Sequence, residues 1–260
     1  MTAPRILVTG ATDGIGLATA RALRRQGAEL LVHGRNPPKV QAVAAELGAW
    51  PLVADLSSLA EVRRLAREAA ARGPLDVVLN NAGVFAKTRQ LTVDGHELSF
   101  GVNHLAHFLL TNLLLDALRD GGRVVTVSSI AHSQGQIHWD DLTLARNFSG
   151  YTAYAQSKLA NVLFANALAL RVASRGITSN SLHPGVINTR LLREGFGAGG
   201  APVESGARTS VHLALSPELA RITGRYFKDA VEVPASPRAT DPAAAERLWT
   251  LSAALVGGLP

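Results

Sequence analysis

Short apolar runs alternate with helix-patterned stretches along nearly the whole chain, and that alternation restricts the fold more than any other feature. The runs are Ile6-Leu-Val8, Leu30 to Arg35, Pro51 to Ala54, Leu75 to Leu79, Arg123 to Val127, Ile177 to Leu182 and Gly224 to Phe227. Between them, helical spacing puts Ala18, Ala22 and Leu23 on one face, then Val40, Val43, Ala44 and Leu47 on another. Runs without polar alternation suit strands buried on both sides, and strand–helix repetition brings such strands into one parallel sheet. The pattern predicts an α/β chain of about seven strands with helices on both faces. No internal repeat or linker divides its 260 residues.

In such sheets ligands bind beyond the carboxyl ends of the strands, so the residues just past each run carry the argument. After the first comes Thr9-Gly-Ala-Thr-Asp-Gly-Ile-Gly16. Glycines let backbone approach a pyrophosphate, and the N–H groups and dipole of the following helix favour its charge. The second run ends in Gly34-Arg35 where many dinucleotide sites carry an acid for the adenosine ribose; a guanidinium suits a 2′-phosphate instead. The third ends in Asp55-Leu56, followed by Ser58-Leu-Ala-Glu61, a capping box. Asn80-Asn-Ala-Gly83 follows the fourth and Ser128-Ser129 the fifth. Asp94 and Glu97 are placed to cap a helix through Phe100, Leu105 and Leu109 that carries Asn103 among apolar neighbours. Asp241-Pro242 starts a terminal helix.

Tyr154 and Lys158 stand four apart on a helix from about Thr152 to Ser174, so their side chains share one face. An ammonium about 5 Å from a phenolate, at an effective dielectric of about 20, favours that charge by about 3 kcal/mol. That is on the order of two pKa units, enough to bring a phenol towards neutrality for proton transfer. From Leu191 to Pro202 the glycine-rich chain reads as a mobile lid. His132 and Trp139 lie between Ser129 and Tyr154 and are candidates to line a substrate pocket.

Composition excludes other chemistry. There is no cysteine, which rules out disulfides and thiolate metal sites and suits a reducing cytoplasm. His104-x2-His107 has no carboxylate partner nearby, so no metal is expected. A formal charge of +6 is spread beside acids, as in Glu61-Val-Arg-Arg-Leu-Ala-Arg-Glu68, which reads as a solvated surface and not a nucleic-acid face. No signal-peptide pattern or apolar run of membrane-spanning length occurs, so no membrane attachment is expected.

Taken together, Thr9-Gly-x3-Gly-Ile-Gly16, Asp55-Leu56, Asn81-Ala82-Gly83, Asn103, Ser128-Ser129, Tyr154-x3-Lys158 and Pro184-Gly185 resemble the short-chain dehydrogenase/reductase family over nearly the whole length. Val102 to Thr111, Tyr154 to Asn161 and Gly224 to Phe227 are similar to its retinol dehydrogenase and WW-domain oxidoreductase branch. The resemblance implies a single Rossmann-type, doubly wound domain over 1–260, with a dinucleotide-binding part at about 1–130 and a catalytic and substrate-loop part at about 128–260. It implies Tyr154 as proton donor or acceptor, Lys158 lowering its pKa and holding the nicotinamide ribose, Ser129 on the substrate oxygen, and Asn103 holding a relay water.

For the cofactor, the resemblance implies Gly10, Asp13, Gly14, Ile15 and Gly16 at the pyrophosphate and Asp55 and Leu56 at the adenine. It places Asn81, Ala82 and Gly83 on the ribose side, Pro184, Gly185, Val186 and Thr189 at the nicotinamide, and Arg35 with Asn36 at the 2′-phosphate. NADP(H) is the expected cofactor, with NAD(H) admitted because Asp13 stands in the glycine turn. The substrate is a small carbonyl or alcohol compound, and the state is a monomer or homo-oligomer. A dinucleotide sensor without turnover is the alternative, and the full Asn103, Ser129, Tyr154 and Lys158 set weighs against it. An epimerase of the extended branch has a different glycine spacing.

Overall fold

The structure is a computed structural model and describes residues 3–197 and 199–259. Position 198, inside the expected lid, lies outside them.

Among the described residues, eight strands form one sheet in the order β3-β2-β1-β4-β5-β6-β7-β8. The runs read from sequence become β1 (Arg5–Val8), β2 (Glu29–Gly34), β3 (Trp50–Val53), β4 (Leu75–Asn80), β5 (Leu118–Val127), β6 (Thr178–His183) and β7 (Tyr226–Lys228). All pair in parallel. The eighth, β8 (Val231–Glu232), is an antiparallel edge on β7, too short to read from its two exposed residues.

Successive strand residues enter opposite cores. Leu7, Leu31 and Val78 face a cluster with α3 (Leu59–Ala70), α5 (Ala106–Leu114), α6 (Gly150–Arg171) and α9 (Pro242–Leu255). Ile6, Val8, Leu30 and Val32 face a second cluster with α1 (Gly14–Arg25), α2 (Pro37–Leu47) and α8 (Val203–Leu215). Helices thus cover both faces, as expected. Phe108 and Phe164 lie 4.9 and 6.0 Å from Trp249, which fixes α9 across α5 and α6. Each such buried ring contributes about 1.5–3 kcal/mol.

Three local readings change. Glu97 alone caps the short α4 (Leu98–Phe100), accepting from the Ser99 and Phe100 N–H groups. Asp94 reaches across to α3 and accepts from Leu59 N at 2.8 Å. Ser58 caps α3, but the Glu61 carboxylate turns to Asp55 N at 2.7 Å and leaves the capping box half made. The expected lid begins with a helix, α7 (Arg190–Phe196), capped by Thr189 and ended by Gly197 in the left-handed region.

Strand order reverses direction between β1 and β4, because β1 lies between β2 and β4. The crevice of a doubly wound sheet opens at that reversal, and the turns after β1, β4 and β5 meet there.

Candidate active site

The turn after β1 is packed against the turn after β4. Gly10 has φ 65°, and a Cβ there would meet Ala82 Cα at 2.9 Å. A Cβ on Gly16 would lie 2.1 Å from the Gly10 carbonyl oxygen and 2.5 Å from Asn81 Nδ2. Both glycines are therefore demanded by the chain's own backbone before any ligand is considered. Gly16→Ala is expected to lower the melting temperature by several degrees, on the overpacking scale of about 1–3 kcal/mol. Differential scanning calorimetry checks it, and an unchanged melting temperature would contradict this packing.

Asp13 caps α1 by accepting from Gly14 N at 2.7 Å. Ile15 and Gly16 stand in the helix's first turn, where the helix supplies no partner for N–H groups. Thr189 abuts Gly14, 3.4 Å from where its Cβ would stand. A cavity of about 300 Å³ runs along this side, lined in part by Asp13, Gly14, Thr189, Arg190 and Arg193. Its lining does not include Tyr154. Pro184, Gly185 and Val186 follow β6, with Gly185 at φ 99° and Val186 54% exposed.

Thr9 joins the two turns. Its hydroxyl accepts from Asn81 N at 2.9 Å and Ala82 N at 3.0 Å, and Asn81 Nδ2 donates back to Thr9 O at 2.8 Å. His107 bonds the same hydroxyl through Nε2 at 2.9 Å and the Asn103 carbonyl through Nδ1 at 3.0 Å. A carbonyl only accepts, so Nδ1 carries the proton. Asn103 sits in a π turn, Gly101–Leu105, between α4 and α5, a feature frequent at functional sites. Its side chain is occupied: Oδ1 accepts from Val84 N at 2.8 Å, and Nδ2 donates to Val84 O and Ser157 Oγ at 3.0 and 2.9 Å. Position i+4 from Asn103 was the one sequence signal for His107.

On α6, Tyr154 and Lys158 are both buried, with the ammonium 5.5 Å from the phenol ring centroid. Lys158 Nζ donates to Val127 O at 3.1 Å, and Ser128 Oγ donates to Lys158 O at 2.7 Å, tying the end of β5 to α6. Burial pushes the Tyr154 phenol up to about 12, against a smaller opposing effect of the neighbouring Ser129 side chain. Burial also brings Lys158 down to about 8. The expected depression of the phenol therefore does not appear in the protein alone, because desolvation disfavours the charge on either partner.

Around the phenol stands an aromatic wall that sequence reasoning missed. Phe85 and Phe196 each lie 5.7 Å from the Tyr154 ring and 4.7 Å from one another. Tyr151 meets Phe196 edge-on at 6.1 Å. His132 and Trp139, expected in the pocket, lie elsewhere: His132 is buried against Tyr226, and Trp139 lies under the Arg247 guanidinium.

Past the ends of β2 and β3, Arg35 is exposed. Asn36 Oδ1 is taken by Lys39 N as the cap of α2. Asp55 accepts from Ser57 N at 2.9 Å, and Leu56 is buried. His104 bonds Ser252 on α9 while His107 turns to Thr9, so the two do not converge. Among the described residues no cluster of three or more His, Asp or Glu is placed to hold a metal, and no helix is long and apolar enough to cross a membrane.

The family model for short chain dehydrogenases matches residues 4–196. Retinol dehydrogenase 14 of Homo sapiens is 39% identical, over 97% of this chain and 86% of its own. A solved structure of an uncharacterised protein from Mycobacterium paratuberculosis superposes with a TM-score of 0.84 at 36% identity, covering 99% of this chain and 95% of that one. A blue fluorescent protein from a metagenomic library, solved in complex with NADPH, reaches 0.72 at 28% identity, over 86% and 95%. The chain therefore belongs to the short-chain dehydrogenase family, on its retinol dehydrogenase branch, and is an oxidoreductase of CH–OH groups.

Proposed function

We propose that the protein interconverts an apolar alcohol and its carbonyl compound with NADP(H), using Tyr154 as the proton donor and acceptor. The observation that carries this reading is that Tyr154, Lys158 and Asn103 meet beside Gly83 past the end of β4, with Ser129 at the end of β5.

The residues suit a nicotinamide dinucleotide. The buried Lys158 ammonium has three N–H groups and bonds only Val127 O among the described residues. A Cβ on Gly83 would lie 3.5 Å from Nζ and 3.6 Å from Asn103 Oδ1, so the missing side chain leaves room beside both. Lys158, with Asn81, Ala82 and Gly83, would hold ribose hydroxyls there. Gly10, Gly14, Ile15 and Gly16 would hold the pyrophosphate, and Pro184, Gly185, Val186 and Thr189 the nicotinamide end. When bound, the nicotinamide supplies or takes hydride.

The chain's own groups do the rest. Ser129 Oγ and Tyr154 Oη would both bond the substrate oxygen, orienting its carbon. With a phenol held protonated by burial, Tyr154 gives its proton to the oxygen as charge develops there during reduction. Lys158 stabilises the phenolate left behind, and Asn103 would hold a water on the path by which Tyr154 is reprotonated. Phe85, Tyr151 and Phe196 present an apolar wall that fits a carbonyl borne on an apolar body. Relatives named retinol dehydrogenases agree with an apolar substrate.

A pooled panel of apolar ketones, aldehydes and quinones tests this by NADPH consumption. Turnover of at least one member is expected, and tight NADPH binding with no turnover of any would favour a sensor.

Arg35 would pair with the 2′-phosphate, beside Asn36. Arg35→Ala is expected to weaken NADPH by about 10–100-fold, the scale of one charge-assisted contact of about 1.5–3 kcal/mol, and NADH by less than about twofold. Fluorescence titration with both cofactors checks it. Equal losses would remove the 2′-phosphate assignment.

A further inference from the structure

We infer that His132 and Tyr226 are positioning residues for Ser129, two ring donors that hold its backbone carbonyl and so fix where its hydroxyl meets Tyr154. The inference rests on the role proposed above for Ser129.

Ser129 is the last extended residue before a tight turn, Ile130–Gln134, and it caps that turn through Oγ, which accepts from Ala131 N at 3.2 Å. Tyr154 packs in one cluster with Ala131, two residues further on, so the Ser129 side chain stands beside the phenol and favours its charged form. One small side chain therefore serves the turn and the phenol together, and its direction depends on the plane of the Ser129 peptide. Three donors reach that carbonyl. His132 N lies at 3.1 Å, His132 Nδ1 at 2.7 Å and Tyr226 Oη at 3.3 Å.

The chemistry of the carbonyl settles the donors. An oxygen that can only accept requires Nδ1 of His132 to carry the proton and leaves Nε2 of the neutral ring as an acceptor. Nε2 takes the Ser236 N–H at 3.1 Å. Both ring nitrogens are thus used, each in the only role the neutral tautomer permits. Burial lowers the His132 pKa and raises that of Tyr226, which keeps the imidazole neutral and the phenol protonated, the forms these bonds require.

The ring centroids lie 4.6 Å apart with the planes tilted by 53°, and both residues are buried. Tyr226 comes from β7 and Ser236 from the segment after β8, where Arg238 Nη1 also reaches back to Gly135 O at 3.1 Å. The C-terminal part of the fold, which supplies none of the four residues around the phenol, thereby reaches Ser129. Packing alone would not require a buried imidazole with both nitrogens matched, or a tyrosine hydroxyl aimed at the same oxygen.

Tyr226→Phe deletes one oxygen, His132→Leu deletes both ring nitrogens, and His132→Asn keeps an N–H donor near the Nδ1 position. Tyr226→Phe and His132→Leu are each expected to lower kcat by about 10–100-fold, the cost of a misplaced group near the reacting atoms. NADPH affinity, read by fluorescence, should stay within about twofold, and His132→Asn should recover most of the rate. In a Ser129→Ala background Tyr226→Phe should lower the residual kcat no further, since the two act through one path. If Tyr226→Phe costs the same factor with and without Ser129, its effect does not pass through Ser129 and the inference falls. If Ser129→Ala alone leaves kcat unchanged, the role of Ser129 falls, and this inference with it. Should His132→Leu not fold, Tyr226→Phe carries the test.

Discussion

Tyr154→Phe is expected to lower turnover by about 10³-fold while leaving NADPH affinity within about twofold of wild type. The phenylalanine ring keeps the contacts with Phe85 and Phe196, so the wall around the site survives. What is lost is one hydroxyl, the group placed to give the proton. General acid catalysis is worth about 10²–10⁴-fold, and the phenylalanine offers no proton in its place, while the Asn103 amide is already bonded on both sides. Single-turnover NADPH oxidation and fluorescence titration separate the two quantities. A variant turning over within tenfold of wild type would mean that another group supplies the proton.

Acid should destabilise the fold well before its carboxylates titrate. His33, His107 and His183 are buried, and desolvation takes their pKa values from the usual 6.5 down to about 4, with His104 at about 3. The unfolded chain binds protons at these four positions below about pH 6.5, where the native state does not, so stability rises with pH in that window. Their contribution is complete above about pH 6.5 and is lost as the pH falls towards 4. Each histidine changes the unfolding free energy by up to about 1.4 kcal/mol per pH unit, so the four together reach about 5 kcal/mol per unit. A domain of ordinary stability, about 5–15 kcal/mol, should therefore be near its unfolding threshold by about pH 5. Denaturant midpoints between pH 7 and 5 measure this. A flat profile would contradict it, and a neutral substitution such as His104→Gln should reduce the slope by about one proton.

His33 shows why acid would reach the site too. Its Nδ1 accepts from Gly10 N at 3.3 Å and its Nε2 bonds Ala54 O at 3.1 Å, an arrangement only the neutral ring can make. Protonation would set Nδ1–H against the Gly10 N–H and loosen the glycine turn.

Much of this was legible in the sequence because it is local. Strand and helix periods gave the sheet, and the turn residues after β1, β4 and β5 could be named because strand ends collect at one edge. Other features depend on residues far apart. Nothing near Asp94 indicates that it caps a helix beginning 35 residues earlier. His107 meets Thr9 across 98 positions, and His132 meets Ser236 across 104.

The phenol is the instructive case. An i, i+4 ammonium is visible in the sequence, but the burial that outweighs it comes from packing and from Phe85 and Phe196 arriving from other elements. Glycines at 195 and 197 made the segment after Thr189 read as loose, whereas Gly195 lies within α7, where a Cβ would meet the Phe85 ring at 2.9 Å.

The central claim is hydride transfer between a nicotinamide and a substrate carbon, and isotope transfer tests it most directly. The protein is incubated with NADPH deuterated at the transferable C4 position and the panel of apolar carbonyl compounds, and the alcohols formed are analysed by mass spectrometry. One deuterium on the carbinol carbon, absent with Tyr154→Phe, is the predicted result. Tight NADPH binding with no deuterium in any product would contradict the account and favour a dinucleotide sensor.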